Sequence, residues 1–428
     1  MEEELVNKLN SLLAREVVLA TGCTEPVAVA LCVAYAKREL GSMPEKVEVK
    51  LSKNVYKNAM GVGIPGTGMI GLPIAISMAV TAANPDDELR LLSLSPEQIE
   101  FARQWLANNG SRISISVAEG DCDKLYIEVT LEASQHSAKA IIACRHTNLI
   151  YLAKDGVAKI DKCTTDTTDD ACGDPLDTLE LSARMVYDYA TTAVVAGFAW
   201  LKEAAEVNAA ASAEGMKGLG LSSGKTISKM GGDDTVHTIV ARTVAASDAR
   251  MSGCKQPVYS NSGSGNQGIT CTLPVYYYAQ AHNIDSDTTL RALALSNMMS
   301  IYIKRGIGRL SALCGIVNAT IGVCSALVYL QGGSFEQIGH AIKNQINSVA
   351  GLLCDGAKPS CALKMATGLY SAFVAAALAM DDIEVAPTDG LAEVKLDNTI
   401  RNLVKIGHDG MDQTDDTILD IMIHKELQ

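Results

Sequence analysis

Aromatic residues are scarce in this chain, and their scarcity restricts how its core can be built. Phe, Trp and Tyr together make up 4% of the 428 residues, and Phe occurs 4 times. A chain of this length can bury a sizeable core without disulfides or a structural metal. That core must consist mainly of Ala, Val, Leu, Ile and Met, and small aliphatic side chains of this kind favour closely packed helices.

Two regions of the chain differ in their hydrophobic pattern. Ala-rich helical patterns broken by glycine loops run through residues 166–428. In residues 45–165, polar and apolar residues alternate in several segments, as in half-buried strands. These segments are 46–51, 112–117, 125–130, 138–144 and 149–154. Apolar stretches near 68–83 and 95–108 predict helices between the strands.

The predicted fold class is α+β, with a small mixed α/β module and a large all-helical domain. The module spans residues 45–165 and has a mostly antiparallel sheet, and the helical domain spans residues 166–428. Residues 1–44 form two helices, which we expect to pack on the helical domain. The polar segment 156–178 lacks apolar periodicity and is predicted to be a linker or a long surface loop.

Net charge and cysteine usage limit the possible partners and the compartment. The formal charge of −13 argues against nucleic-acid binding by phosphate neutralisation. The 12 cysteines are scattered, unlike those of a small secreted scaffold. The longest apolar runs, 71–83, 315–330 and 369–380, are shorter than the ~20 residues of a membrane span. With no signal-peptide pattern at the N-terminus, these features predict a cytoplasmic protein with reduced thiols and no membrane partner.

Familiar site patterns are absent or incomplete. Residues 61–66 match G-x-G-x-x-G, but no β-rich run precedes them, as dinucleotide binding requires. Residues 218–226 resemble a P-loop, yet Leu219 stands where that motif needs glycine. The sequence contains no C-x-x-C or H-x-x-x-H pair that would indicate a zinc site.

Two segments have the composition of a site for a small anion. In the glycine-rich loop 259–268, successive small residues let backbone N–H groups converge on one point. Its candidate substrate-binding residues are Ser262, Gly263, Ser264, Gly265, Asn266 and Gln267. The second segment offers a lysine and two amides, namely Asn54, Lys57 and Asn58. A tight interhelical loop and a solvated turn are the structural alternatives.

Cys314, Cys354 and Cys361 are the candidate metal ligands. They lie beside apolar helical runs and small residues, which leave space around each sulfur. Thiolates are soft donors, and an iron–sulfur cluster accepts them from distant loops. Three protein ligands would leave one iron open as a Lewis acid for a substrate. The spacing matches no ferredoxin pattern, so inert buried cysteines are the alternative.

Ordered motifs between about residues 20 and 365 together resemble those of the L-cysteine desulfidase family, whose members include serine dehydratase-like proteins of unknown function. These motifs are 22–26 (GCTEP), 57–58 (KN) with 64–66 (IPG), 262–268 (SGSGNQG), 314–315 (CG) and 354–358 (CDGAK). The helical domain is also similar to the α domain of iron–sulfur L-serine dehydratases. The resemblance implies that Cys314, Cys354 and Cys361 hold a [4Fe–4S] cluster, and that the reaction needs no pyridoxal phosphate.

The resemblance further implies breakdown of L-cysteine to pyruvate, ammonia and sulfide by α,β-elimination. In this scheme the glycine-rich loop and Lys57 hold the substrate carboxylate, and the open iron binds the substrate thiolate. Cys23 is the candidate base, because a cysteine at a helix N-terminus has a lowered pKa. A fourth iron ligand and a small buried hydrophobe are the alternative roles of Cys23. His146 is a second catalytic candidate that would reach across from the α/β module, unless it is a structural histidine.

Two other functions are compatible with the same residues. An L-serine dehydratase would use the same chemistry with hydroxide as the leaving group. A small-molecule-binding or redox-sensing protein would hold a cluster, or none, without turnover. Both the L-cysteine desulfidase and the L-serine dehydratase would bind a small amino-acid substrate. The large Ala-rich helical surface favours a homodimer.

Overall fold

A computed structural model of the chain describes residues 1–120, 122–162, 176–232 and 234–425. The predicted α+β class is confirmed, since a small unit with a six-stranded sheet is joined to a larger unit of helices. The helices are α1 Glu3–Glu16, α2 Thr24–Leu40, α3 Lys53–Ala59, α4 Leu72–Thr81, α5 Pro96–Asn109, α6 Ala183–Thr192, α7 Leu201–Gly215, α8 Ser223–Met230, α9 Thr235–Met251, α10 Gly265–Ala281, α11 Ser286–Ile307, α12 Gly315–Leu330, α13 Phe335–Val349, α14 Cys361–Met380, α15 Leu396–Lys405 and α16 Asp412–Ile423. The strands are β1 Leu19–Ala20, β2 Lys46–Leu51, β3 Ile113–Val117, β4 Tyr126–Ala133, β5 His136–Ala143, β6 Leu149–Lys154, β7 Val157–Asp161 and β8 Val258–Tyr259.

The main sheet has the strand order β3-β2-β4-β5-β6-β7. β2 and β3 run parallel, and the other neighbouring strands are antiparallel, as the alternation predicts. β7 lies inside the segment 156–178, which the sequence pattern assigns to a linker. Asp155 and Gly156, with φ of +51° and +80°, form the turn between β6 and β7, and Asp-Gly is a strong hairpin signal. Residues 163–175, and with them the predicted domain boundary at residue 165, lie outside the described residues.

Helix α2 covers one face of the sheet and forms the core of the module. Its surface is apolar on nearly every side, and 13 of its 17 residues are buried. It packs against α4, β4 and β5, and shares a core with Val47 and Val49 of β2. The expectation that both N-terminal helices pack on the helical domain is therefore wrong for α2. Helix α1 does lie in the helical core, with Leu9, Leu12 and Leu13 buried there.

The helical domain is organised around α12, which contacts α10, α11, α13 and α14. Glycines in this domain allow one helix to approach the backbone of the next. A Cβ on Gly322 of α12 would collide with the carbonyl of Ser296 in α11, and one on Gly215 of α7 would collide with the carbonyl of Ala245 in α9. These close contacts agree with the helix packing expected from small aliphatic side chains.

Helix α14 is longer than the apolar run 369–380 indicates. It begins at Cys361, and among the described helices it is the one with the length and hydropathy to cross a membrane. One face of α14 is buried against the helical core, at positions that include Ala362, Met365 and Leu369. Core helices of globular proteins share this length and composition, and the buried face of α14 is of that kind.

The last helix, α16, joins the two units through acidic residues that face α3. Asp416 pairs with Lys53 (2.8 Å), and both side chains are exposed to solvent. Asp415 pairs with Lys57, and both of these side chains are buried. Lys57 also donates a hydrogen bond to the carbonyl of Cys354 (3.2 Å). One buried lysine thus connects α3, α16 and a loop of the helical domain.

Removing one partner of the buried pair should destabilise the protein far more than removing one partner of the exposed pair. In Lys57→Ala the Asp415 carboxylate stays buried without compensation, so we expect the free energy of unfolding to fall by about 3–5 kcal/mol. The matched control Lys53→Ala removes an exposed partner and should cost about 0–1 kcal/mol. Urea unfolding of both variants measures the difference, and equal losses would contradict the burial of the Lys57–Asp415 pair.

Candidate active site

The three predicted ligand cysteines come from two loops that the backbone ties together. Leu313 and Leu353 form an antiparallel bridge. The N–H groups of Cys314 and Cys354 each donate to a carbonyl of the opposite loop (2.9 and 2.7 Å). Cys361 lies further along the second loop and is the first residue of α14. Cysteines far apart in sequence are thereby brought to one end of α12.

Cys354 lies close enough to Cys314 and Cys361 to influence the ionisation of both thiols. Burial raises the pKa of Cys314 to about 12, and Cys354 and Cys361 add to this rise. Burial and the neighbouring Cys354 also raise the pKa of Cys361. The raised pKa values favour neutral thiols in the metal-free protein, whereas a thiol that coordinates a metal loses its proton.

The donor set of three cysteines has the chemistry that an iron–sulfur cluster requires of its ligands. Among the described residues, no three His, Cys, Asp or Glu side chains converge closely enough to hold one ion. A cluster takes its ligand sulfurs on different irons, so it accepts donors that lie further apart than those of one ion. Cys354 and Cys361 act electrostatically on Cys314, and cysteine thiolates are the ligands that such a cluster takes.

The buried carboxylate of Glu25 lies at the centre of the polar groups on the module side. It accepts hydrogen bonds from the thiol of Cys23 (3.1 Å), the hydroxyl of Thr24 (3.1 Å) and the side-chain amide of Asn58 (3.0 Å). Burial opposes its ionisation, but the nearby His146 and the hydrogen bonds from Cys23 and Asn58 outweigh burial and lower the pKa of Glu25. The sequence motif 22–26 contains this residue, but only the contacts reveal that an ionised carboxylate occupies the site.

The expectation that Cys23 has a lowered pKa is wrong. Cys23 does precede the first turn of α2, as predicted. Burial and the neighbouring Glu25 carboxylate nevertheless raise the pKa of Cys23 well above its usual value. A helix N-terminus stabilises an anion by about 0.3–1 kcal/mol, which is less than the cost of burying a second negative charge beside Glu25. Cys23 is therefore a neutral hydrogen-bond donor in this site.

His146 extends from the α/β module to the glycine-rich loop. Its ring lies against Gly263, where an added Cβ would come within 2.7 Å of Cε1. Burial lowers the pKa of His146, while the Glu25 charge opposes this shift, so the neutral imidazole is favoured at neutral pH. Its Nε2 is buried and has no hydrogen-bond partner among the described residues. A neutral imidazole in this state is able to accept a proton.

Lys304 of α11 interacts electrostatically with the cysteine loops and with the Glu25 group, and no sequence motif indicates it. Its ammonium interacts electrostatically with Cys354 and Cys314 on one side and with Glu25 on the other. The side chain is buried, and burial lowers the pKa of Lys304 to about 8, against the opposing influence of Cys354. The available signal was a lysine at the end of the apolar helical stretch 298–303.

The glycine-rich loop leads into helix α10 and uses its serine hydroxyls internally. Ser262 and Gly263 have positive φ values of +48° and +82°. The hydroxyl of Ser264 caps α10 by accepting a hydrogen bond from the N–H of Gln267 (3.3 Å). The hydroxyl of Ser262 donates to the side chain of Asn261 (2.9 Å). The polar groups left for a ligand therefore come from the start of α10, and the two serines shape the loop.

The charge of Lys57, which the sequence assigns to the substrate carboxylate, is taken up by Asp415 instead. This pairing corrects the expected role of Lys57 in the site. The two residues are 358 positions apart in sequence, so no local pattern indicates the contact. Asn58 remains in the site through its hydrogen bond to Glu25 (3.0 Å).

Several predicted site residues carry a buried polar atom that has no hydrogen-bond partner among the described residues. These are Asn54 (Nδ2), Asn58 (Oδ1), His146 (Nε2) and Gln267 (Oε1). The Gln267 oxygen lies against Gly315, beside Cys314, where an added Cβ would come within 2.8 Å of it. Buried polar groups without partners are rare and cost about 1–3 kcal/mol each. Asn58, His146 and Gln267 are also tied to the site by their contacts with Glu25, Gly263 and Gly315, so their unpartnered atoms are available to a polar ligand there.

A cleft of about 420 Å³ is lined by His146 and Gly263 and opens to solvent. Charged residues form most of its remaining wall, namely Arg15, Glu16, Asp86, Asp87, Glu88, Arg90, Arg145 and Arg309. Arg309 donates two hydrogen bonds to the carboxylate of Glu16 (2.9 and 3.1 Å), which fixes one side of the cleft. The volume falls in the range of small-molecule sites, and the wall suits a charged ligand.

Comparison with known proteins identifies the family. A sequence model described as serine dehydratase alpha chain matches residues 127–420, well over half of the chain. The chain is also similar over nearly its full length to proteins named UPF0597 protein, a name that states no activity. The protein of Porphyromonas gingivalis is 46% identical, with 100% of each chain covered. Those of Phocaeicola vulgatus and Oleidesulfovibrio alaskensis are 46% and 41% identical, with 97% of each chain covered.

The fold and the site thus define a serine dehydratase-like protein, as the sequence predicts. The chain belongs to the serine dehydratase alpha chain family. The matched segment contains His146, the glycine-rich loop, Lys304 and the three clustered cysteines. Glu25 and Asn58 precede that segment and join the site through α2 and α3.

Proposed function

We propose that the protein is a lyase that converts L-cysteine and water to pyruvate, ammonia and sulfide by α,β-elimination. The proposal depends chiefly on one observation: the buried Oε1 of Gln267, which has no partner among the described residues, lies against Gly315 beside Cys314, and Cys354 and Cys361 act electrostatically on that cysteine. Membership of the serine dehydratase alpha chain family supports lyase chemistry in general. The choice of L-cysteine, and of a reaction without pyridoxal phosphate, follows from the resemblance to the L-cysteine desulfidases.

Cys314, Cys354 and Cys361 would hold a [4Fe–4S] cluster. When bound, such a cluster supplies a Lewis acid that assists departure of the leaving group. Lys304 and Lys364 interact electrostatically with Cys314 and Cys354, so their charges would offset those of bound thiolates. Cys314 immediately precedes α12 and Cys361 begins α14, and helix N-termini favour thiolates.

His146 is the residue best placed to remove the Cα proton of the substrate. Burial lowers its pKa and so favours the neutral imidazole, its Nε2 has no partner among the described residues, and its ring lies against the loop that precedes α10. Glu25 stabilises the imidazolium that forms, while Cys23 keeps its proton and holds Glu25 in place. The Cα–H electron pair becomes the Cα–Cβ double bond as the Cβ–S bond breaks. The resulting aminoacrylate hydrolyses to pyruvate and ammonia.

The second candidate function is dehydration of L-serine to pyruvate and ammonia, with hydroxide as the leaving group. The description of the matched family favours it. The same side chains would serve both reactions, because L-serine and L-cysteine share the carboxylate, the amine and the Cα proton and differ only at the β-substituent.

Assays on anaerobically prepared protein distinguish these functions. We expect kcat/KM for sulfide release from L-cysteine to exceed that for pyruvate formation from L-serine. Robust serine turnover without detectable sulfide would overturn the choice of L-cysteine and establish the dehydratase. A protein that turns over neither amino acid would be a small-molecule-binding or redox-sensing protein instead.

The ligand assignment predicts which cysteines are needed for iron binding. Replacement of Cys314, Cys354 or Cys361 by Ala should reduce bound iron and the visible absorbance of the anaerobically prepared protein to background. The matched control is Cys324→Ala, because Cys324 is a fully buried cysteine within α12. Unchanged iron content in Cys314→Ala would refute the assignment. All ten described cysteines are free thiols, which suits the cytoplasmic location proposed for this chemistry.

The proposed base predicts both a rate loss and a change of pH profile. His146→Gln should lower kcat by about 10²- to 10⁴-fold, because the proton acceptor is lost. In the unmodified enzyme kcat/KM should fall on the acid side as the imidazole is protonated, with a pKa that burial places below the usual value of about 6.5. This acid limb should be absent in the variant.

His136→Gln provides the matched control for the base, because His136 is an exposed histidine at the start of β5. This control should retain the rate and the pH profile of the unmodified enzyme. If His146→Gln kept the acid limb, another group would have to be the base.

A further inference from the structure

Arg250 is a buried cation that forms no ion pair with any carboxylate in the part of the chain that the structure describes. It lies in the last turn of α9 and is 4% exposed. Its one hydrogen bond within the described residues goes to the side-chain oxygen of Asn266 (3.2 Å). Its Nε is buried without a partner, and none of the described carboxylates forms an ion pair with it. No sequence pattern distinguishes Arg250 from the other residues of this Ala-rich helix.

Burial of an unpaired charge is costly, and arginine cannot avoid the cost by losing its proton. The cost of burial is reduced in other ways for the other buried cations of this region. Lys57 has a carboxylate partner in Asp415, and burial lowers the pKa of Lys304 to about 8. Arg250 has neither solution within the described residues. A group of this kind is satisfied when an anionic ligand pairs with it.

The position of the guanidinium indicates where such a ligand would lie. A Cβ added to Gly265, the first residue of α10, would collide with the Arg250 side chain. Helix α10 has 17 residues, so its N-terminus carries unpaired N–H groups and a partial positive charge. The Arg250 charge also acts on the thiol of Cys23 and partly opposes the rise of its pKa. Arg250, the start of α10 and Cys23 therefore lie around one place.

We propose that Arg250 and the N-terminus of α10 together bind the α-carboxylate of the amino-acid substrate, a role that rests on the proposed function. The planar guanidinium presents parallel N–H groups that match a carboxylate. Lys57 is paired with Asp415 and does not compete for this role. The substrate carboxylate would thus supply the counter-charge that the fold leaves out, next to the loop against which His146 packs.

Binding of a ligand that cannot undergo elimination tests this role separately from catalysis. L-2-aminobutyrate has the size of L-cysteine but no leaving group, and 2-aminobutyramide lacks only the carboxylate charge. Calorimetric titration of the anaerobically prepared protein should give tighter binding of the acid than of the amide. In Arg250→Gln the affinity for the acid should fall roughly 10- to 150-fold, as expected for a lost hydrogen bond to a charged group, while the affinity for the amide stays the same.

Two further variants keep the test decisive. Arg250→Lys keeps the positive charge but lacks the planar guanidinium, so it should lose part of the affinity for the acid and none for the amide. If the glutamine variant does not fold, the lysine variant provides the test. Arg242→Gln is the control, because Arg242 is an exposed arginine of the same helix that lies 5.3 Å from the ring of Tyr277. This control should bind both ligands like the unmodified protein.

The possible results separate the two proposals. Equal losses for acid and amide, unchanged affinity for the acid, or no binding of the acid by the unmodified protein would each overturn the role of Arg250. Arg250-dependent binding of the acid without turnover of L-cysteine or L-serine would support the carboxylate site and overturn the lyase.

Discussion

The buried carboxylate of Glu25 is the interaction around which the site is built. A carboxylate removed from water is costly unless hydrogen bonds and positive charge compensate for it. Donors from α2 and α3 meet it directly, and His146 and Lys304 approach it from the module and from the helical domain. Since these partners belong to both units, the same carboxylate helps to fix how the units meet. Burial raises the pKa of Cys23 and the Glu25 charge adds to that rise, whereas for His146 the same charge partly opposes the lowering of the pKa by burial.

Several helices begin at this site, and their N-termini give it a common electrostatic character. The residues at these starts are Cys23 for α2, Ser264 for α10, Cys314 for α12 and Cys361 for α14. The side chain of Gln267 in α10 lies against Gly315 at the start of α12, so at least these two ends are adjacent. N-terminal ends favour negative charge, whether it belongs to metal-bound thiolates or to a carboxylate. Small residues at the helix starts permit this close approach.

Local sequence patterns predicted much of the fold and many residues of the candidate site. They could not predict which side chains pair with one another there. The alternation that predicts β2 and the glycine-rich loop that precedes α10 can both be recognised from residues adjacent in sequence. The structure contains this strand and this helix start. The Asp155-Gly156 turn was also a local signal for a hairpin. The polar residues that follow it led the sequence pattern to predict a linker where β7 lies. The partner of Lys57 is in the last helix, and the pKa of Cys23 depends on burial, so neither follows from the helix N-terminus that the motif indicates.

The buried cations Lys304 and Arg250 illustrate why a functional site departs from the rules that stabilise a core. Lys304 can lose its proton when buried, and burial lowers its pKa, whereas an arginine side chain does not lose its proton in proteins. A core selected only for stability would pair Arg250 with a carboxylate or replace it with an aliphatic residue. Folded proteins retain such unfavourable groups mainly where a ligand satisfies them. The same reasoning applies to the oxygen of Gln267 and the nitrogen of His146, which have no hydrogen-bond partner among the described residues, so a substrate bound at these groups would remove an unfavourable feature of the fold.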